Sequence, residues 1–182
     1  MILILNISGE KLHYFEFVKP IERILGEKHI LFYTKHYTKF TDKDLKAEKI
    51  IISGTSLKDK DYLENLNLFK WIDFYDKPIL GICAGMQILV SHFKGELIEE
   101  KEIGLNRIKI NKDFLGIKKD NLEVYSLHNF SVKPNEDFFK VFGNSNKVIQ
   151  AIKHKTKPFY GILFHPEVRN KELIEGFVEG IN

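Results

Sequence analysis

Apolar positions in this chain follow two rhythms, and the change between them falls near residue 95. Before it, short uninterrupted apolar runs alternate with helix-spaced stretches. Residues 2–6, 29–33, 49–53 and 78–83 read as strands apolar on both faces, as parallel strands covered on two sides are. Pro20 suits the first turn of a helix over 21–25, which Gly26 ends. Thr41-Asp42-Lys43-Asp44 reads as a capped helix start running to Glu48. Tyr62, Leu66, Phe69 and Ile72 recur at helical spacing and predict an amphipathic helix over 57–75. Residues 84–93 form a helix after the fourth strand, while 13–18 fit neither period.

From Gly95 the runs shorten. Residues 96–98, 107–110, 122–127 and 139–142 are broken by turns and predict antiparallel additions with an edge extension. Residues 148–153 and 159–164 flank Lys155-Thr156-Lys157-Pro158 and predict a final hairpin. Leu173, Ile174, Phe177, Val178 and Ile181 share one face of a last helix, with Asn170 as its N-cap. Strands alternating with helices predict an α/β fold with a doubly wound, mostly parallel sheet. The 182 residues fit a single domain over 1–182.

Composition narrows the function classes. With 43% hydrophobic and 29% charged residues, the chain is of the globular, soluble kind. A net charge of +3, dispersed along the chain, gives no nucleic-acid footprint. No apolar run is long enough to span a membrane, and Met1–Asn6 lacks the basic flank of a signal peptide. The lone cysteine excludes an internal disulfide framework and suits a reducing compartment, so the expected location is cytoplasmic. His13, His29, His36, His92 and His154 show no metal-ligand spacing, and no Gly-rich phosphate loop occurs. No metal and no cofactor are expected.

Candidate chemistry gathers at predicted strand ends, where open α/β sheets place ligands. Cys83 lies in Gly81-Ile82-Cys83-Ala84-Gly85, a strand-to-helix turn that would lift a thiol over a helix start. By itself this turn also fits an inert, packed cysteine. His165 and Glu167 stand one residue apart, so in extended backbone both leave the same face and the carboxylate can orient the imidazole. Ser53-Gly54-Thr55-Ser56 ends a third strand.

Pro78-Ile79-Leu80-Gly81-Ile82-Cys83-Ala84-Gly85-Met86-Gln87 and Tyr160-Gly161-Ile162-Leu163-Phe164-His165-Pro166-Glu167 resemble the two signatures of class I, triad-type glutamine amidotransferases. Ile50-Ile51-Ile52-Ser53-Gly54 resembles that family's oxyanion strand, and the likeness covers essentially the whole chain. The resemblance implies a flavodoxin-like sheet with antiparallel edge additions. It also implies L-glutamine as substrate: Cys83 attacks the γ-carboxamide, His165 moves the proton and Glu167 orients His165. Backbone N–H groups of Gly54, Thr55 and Ala84 would hold the oxyanion, and Gln87, Ser126 and His128 would contact the substrate. Within the family, the separate amidotransferase subunits of archaeal-type GMP synthases look most similar, which implies a synthetase partner that accepts ammonia. Thr55, Met86 and Phe130 depart from the pattern of those subunits. Two alternatives stay open: a stand-alone γ-glutamyl hydrolase of the same superfamily, and a non-catalytic regulatory or binding module.

Overall fold

The structure, a computed structural model, describes residues 1–146 and 148–181. The four apolar runs become β1 (Ile2–Asn6), β2 (Phe32–His36), β3 (Lys49–Ile52) and β4 (Ile79–Ile82). They are followed by β5 (Glu96–Ile110), β6 (Asn121–Lys133), β7 (Phe139–Ser145), β8 (Val148–His154) and β9 (Phe159–Ile162). All nine join one sheet in the order β2-β1-β3-β4-β9-β8-β7-β5-β6. Its first five members pair in parallel, in the 2-1-3-4-5 arrangement of flavodoxin-like folds with β9 taking the fifth place. The remaining pairs are antiparallel. The α/β class and the mixed sheet therefore follow the expectation.

Alternation along the parallel strands explains why they carry no polar face. Leu3, Leu5, Ile50 and Ile52 enter one core with Phe69, Ile72 and Leu89. Ile2, Ile4 and Ile51 enter the other with Ile21, Leu25 and Phe177. The flanking helices are α1 (Lys11–His13), α2 (Lys19–Glu27), α3 (Asp61–Glu64), α4 (Ala84–His92) and α5 (Glu172–Glu179). Among the described residues no helix is long and apolar enough to cross a membrane.

Several elements differ from expectation for identifiable reasons. Residues 13–18 form a π-helical turn, Tyr14–Val18, that joins α1 to α2 in one continuous helix. That helix passes Gly26 and reverses at His29, whose φ is 55°, so β2 begins at Phe32 rather than 29. The segment after Thr41 is a 3₁₀ helix, Asp42–Lys46, closed by a Thr41–Asp44 capping box. The long helix expected over 57–75 is instead α3 followed by a 3₁₀ helix, Leu66–Phe74. Leu66, Phe69, Ile72 and Tyr75 recur every third residue, which matches the 3₁₀ period better than the α period. The pieces expected at 96–98 and 107–110 belong to one strand, β5, with a bulge between Glu99 and Glu102. Asn170 is no side-chain cap: its φ is 76°, and its carbonyl accepts the Leu173 N–H while Lys171 occupies the cap position.

Candidate active site

The strand ends that carry the candidate residues meet at one edge of the parallel sheet. Cys83 terminates β4, and its N–H donates to the Ile162 carbonyl at 2.7 Å, fixing it against β9. Its backbone turns sharply, with φ 50° and ψ −106°. For a residue with a Cβ such a conformation costs about 1–3 kcal/mol, and it persists only where packing enforces it. The enforcement is visible on both sides. A Cβ on Gly81 would lie 2.5 Å from the Gly85 carbonyl, and one on Gly85 would lie 2.4 Å from the Ile52 oxygen. Strand, turn and helix touch backbone to backbone here, so only glycine fits either position.

His165 follows β9 and is completely buried. Its N–H donates to the Tyr125 carbonyl at 2.8 Å, so the residue is pinned to β6. The ring Nδ1 lies 2.7 Å from Glu167 Oε1, and Nε2 lies 3.4 Å from the Leu127 carbonyl oxygen. That same oxygen receives the Cys83 thiol at 3.5 Å. Burial alone would lower the imidazole pKa. The charges of Glu167 and Cys83 and their hydrogen bonds outweigh it, holding His165 well above its ordinary value. Phe17 covers the ring, centroid to centroid 5.3 Å.

Gly54 closes the group. A Cβ there would sit 2.7 Å from His165 Cε1 and 3.4 Å from the Cys83 Cβ. Thr55 and Ala84 line the cleft above Cys83, together with Gln87, Leu127 and Phe130. Cys83, His165, Glu167, Gly54, Thr55 and Ala84 are thus brought together at one place. A thiol, an imidazole and a carboxylate in sequence, beside a backbone turn and a helix start, can perform nucleophilic attack on a carbonyl.

The remaining predicted contacts are placed differently. Gln87 lines the cleft, but its amide is engaged: Nε2 donates to the Phe130 carbonyl at 2.8 Å and Oε1 accepts from the Tyr62 hydroxyl. His128 also lines the cleft but is buried, with one ring nitrogen 3.1 Å from Glu102 Oε2 and the other 3.2 Å from the Glu100 carbonyl. Ser126 is fully buried with its hydroxyl unpartnered among the described residues, and it does not line the cleft. Their alternation on β6 sets both side chains on the face opposite Leu127. Among the described residues there is no cluster of three or more potential metal ligands.

Four residues at the site, Asp59 and Tyr62 lining the cleft, Phe17 on the His165 ring and Leu127 beneath the thiol, carried no sequence signal of their placement. Leu127 acts through a backbone oxygen, Asp59 hides in the alternating charges of Lys58-Asp59-Lys60-Asp61, and Tyr62 and Phe17 look like ordinary core.

Comparison with known proteins agrees with this geometry. The family model described as glutamine amidotransferase class-I matches residues 14–178. A glutamine-hydrolyzing GMP synthase from Francisella philomiragia is 34% identical over a stretch covering 76% of this chain and 28% of that protein. One separate subunit of the glutamine-hydrolyzing GMP synthase from Methanosphaera stadtmanae is 42% identical over 56% of this chain and 60% of that protein. The chain therefore matches less than two thirds of the length of either relative. Among solved structures, a provisionally named GMP synthase subunit from Thermoplasma acidophilum shares the fold with a TM-score of 0.86, covering 98% of this chain and 92% of that one at 23% identity. A glutamine amidotransferase from Thermotoga maritima shares it with a TM-score of 0.69, covering 98% and 81% at 18% identity. With the family match reaching from the first helix to the last, the chain belongs to the class I glutamine amidotransferases.

Proposed function

We propose that this chain hydrolyses L-glutamine to glutamate and ammonia through a γ-glutamyl thioester on Cys83, and that the ammonia passes to a synthetase partner of the GMP synthase kind. The observation that carries this reading is the line Cys83–His165–Glu167, with both thiol and imidazole set against the Leu127 carbonyl. In the first step the Cys83 sulfur bonds to the γ-carbon while His165 takes the thiol proton. The carbonyl electrons move onto oxygen, where N–H groups of Ala84 and the Gly54–Thr55 turn hold the charge. Collapse of this adduct breaks the C–N bond, and His165 returns the proton to the leaving ammonia. Water, deprotonated by His165, then cleaves the thioester to give glutamate and the free thiol. Glu167 keeps the imidazole in the orientation this shuttle needs.

The free volume above Cys83 is about 20 Å³, room for about one water molecule. The relatives named as GMP synthases supply the acceptor reading. Its test is labelling with 6-diazo-5-oxo-L-norleucine alongside ammonia release from glutamine. One label per chain on Cys83 is expected, with label and ammonia both lost in Cys83→Ala. Preferential turnover of bulky γ-glutamyl amines would overturn the substrate assignment.

A further inference from the structure

Beside the cleft, one carboxylate oxygen collects three donors from two separate segments, residues 9–13 and the turn at Thr55. Asp59 Oδ2 accepts from the Thr55 hydroxyl at 2.6 Å, from His13 Nδ1 at 2.7 Å and from the Gly9 N–H at 3.1 Å. The carboxylate is 12% accessible. Burial opposes its ionisation, but the Thr55, His13 and Gly9 bonds prevail and hold its pKa below the usual carboxylate range. The contacts continue beyond His13. Its ring meets Phe17 edge-on at 6.4 Å, and Phe17 in turn covers His165 at 5.3 Å.

From this arrangement we infer that Asp59 is a positioning residue for the oxyanion turn, gripping Thr55 by its hydroxyl and tying the turn to the helix that packs on His165. The inference rests on the glutaminase reading above and deepens it. Two facts give the grip leverage. The turn is in contact with the imidazole, since a single carbon added to Gly54 would lie 2.7 Å from Cε1. Oxyanion donors, moreover, work only within a few tenths of an ångström of their hydrogen-bonding distance. Contact with the ring blocks inward movement, so a turn freed of the grip drifts outward and loses its N–H aim. Thr55 supplies a side chain for the restraint where a glycine would offer none, and Tyr14–Val18, a π-helical turn of a sort often found at functional sites, brings Phe17 onto the ring.

The test compares Thr55→Val, Thr55→Ser and Asp59→Ala in the full chain, measuring kcat and KM for glutamine and the rate of Cys83 alkylation by iodoacetamide. Alkylation needs a competent thiol but no oxyanion donor. Thr55→Val and Asp59→Ala are expected to lower kcat about 10- to 100-fold. KM and the alkylation rate should stay near wild type, and Thr55→Ser should restore kcat. Combining Thr55→Val with Asp59→Ala should add nothing to the larger single effect. If Asp59→Ala fails to fold, Thr55→Val against Thr55→Ser decides the matter alone. Wild-type kcat in Thr55→Val, or an equal fall in alkylation and turnover, would overturn the positioning role. A wild-type chain that takes no diazo-oxo-norleucine label and releases no ammonia would instead overturn the glutaminase reading, and this inference with it.

Discussion

Cys83 and Gly54 show how closely side-chain chemistry depends on missing atoms. The thiol is held forward by a backbone conformation that the Gly81–Gly85 contact imposes, and the imidazole lies flush against a glycine Cα. Adding one methyl at residue 54 should therefore act on the base before it acts on the fold. Gly54→Ala is expected to lower kcat about 100-fold, the scale of a 1 Å misplacement. Its melting temperature should fall only a few degrees; a wild-type kcat would show that the ring can yield. At this scale the sequence was legible wherever the candidate chemistry lies in a distinctive side chain, as at Cys83, His165 and Glu167, which the fold places around the Leu127 carbonyl. It was silent on the Leu127 carbonyl, because every residue owns such an oxygen and only the fold selects one. At Ser126 and His128 the side chains are buried, and His128 is held by Glu102 and the Glu100 carbonyl, pairings that the sequence around residue 128 does not announce.

The elements β5, β6, β7 and β8 are locked by a buried polar group centred on Glu102. Its Oε2 accepts from Gln150 at 2.7 Å and lies 3.1 Å from His128 Nε2, while Ser145 donates to Oε1 at 3.3 Å. Burial would raise the Glu102 pKa, but the His128 and Gln150 hydrogen bonds outweigh it and depress the value. A carboxylate depressed in the folded state stabilises above its unfolded pKa of about 4.3, and the contribution is lost as pH falls through the folded value. Glu102→Gln should thus destabilise by about 1–3 kcal/mol at pH 7, by urea unfolding, and by clearly less at pH 3. An equal deficit at both pH values would remove charge from the explanation. The polar residues between 99 and 106 concealed this strand from hydrophobic patterning, since they serve a bulge and a buried network rather than an apolar face. The parallel strands were legible for the opposite reason: both faces are covered, so the runs are unbroken.

Taken whole, the molecule closes its cleft by joining the two kinds of sheet. Asn129 on β6 donates to the Leu57 carbonyl at 2.9 Å, and the Lys60 ammonium stands 5.3 Å from the Phe130 ring centroid. These contacts fasten the loop after β3 to the antiparallel strands across the mouth above Cys83. Removing the hydrogen bond in Asn129→Ala should raise the rate at which a maleimide reaches Cys83 about two- to tenfold, the equivalent of one hydrogen bond. An unchanged rate would place the barrier elsewhere. No sequence pattern announced this closure, because it joins residues 72 apart through one side-chain amide and one backbone oxygen.

The position of β9 between β4 and β8 bears on how the protein is made. Its partners on β4 lie 80 residues earlier, Ile79 opposite Phe159. On a ribosome adding about 5–20 residues per second, roughly 4–16 s separate the appearance of the two strands. Throughout that interval the strand leading to Cys83 is an open edge, apolar on both faces and able to recruit a foreign strand. The last hairpin must arrive before another chain does, so newly made protein should be most vulnerable to aggregation just before the segment bearing His165 emerges.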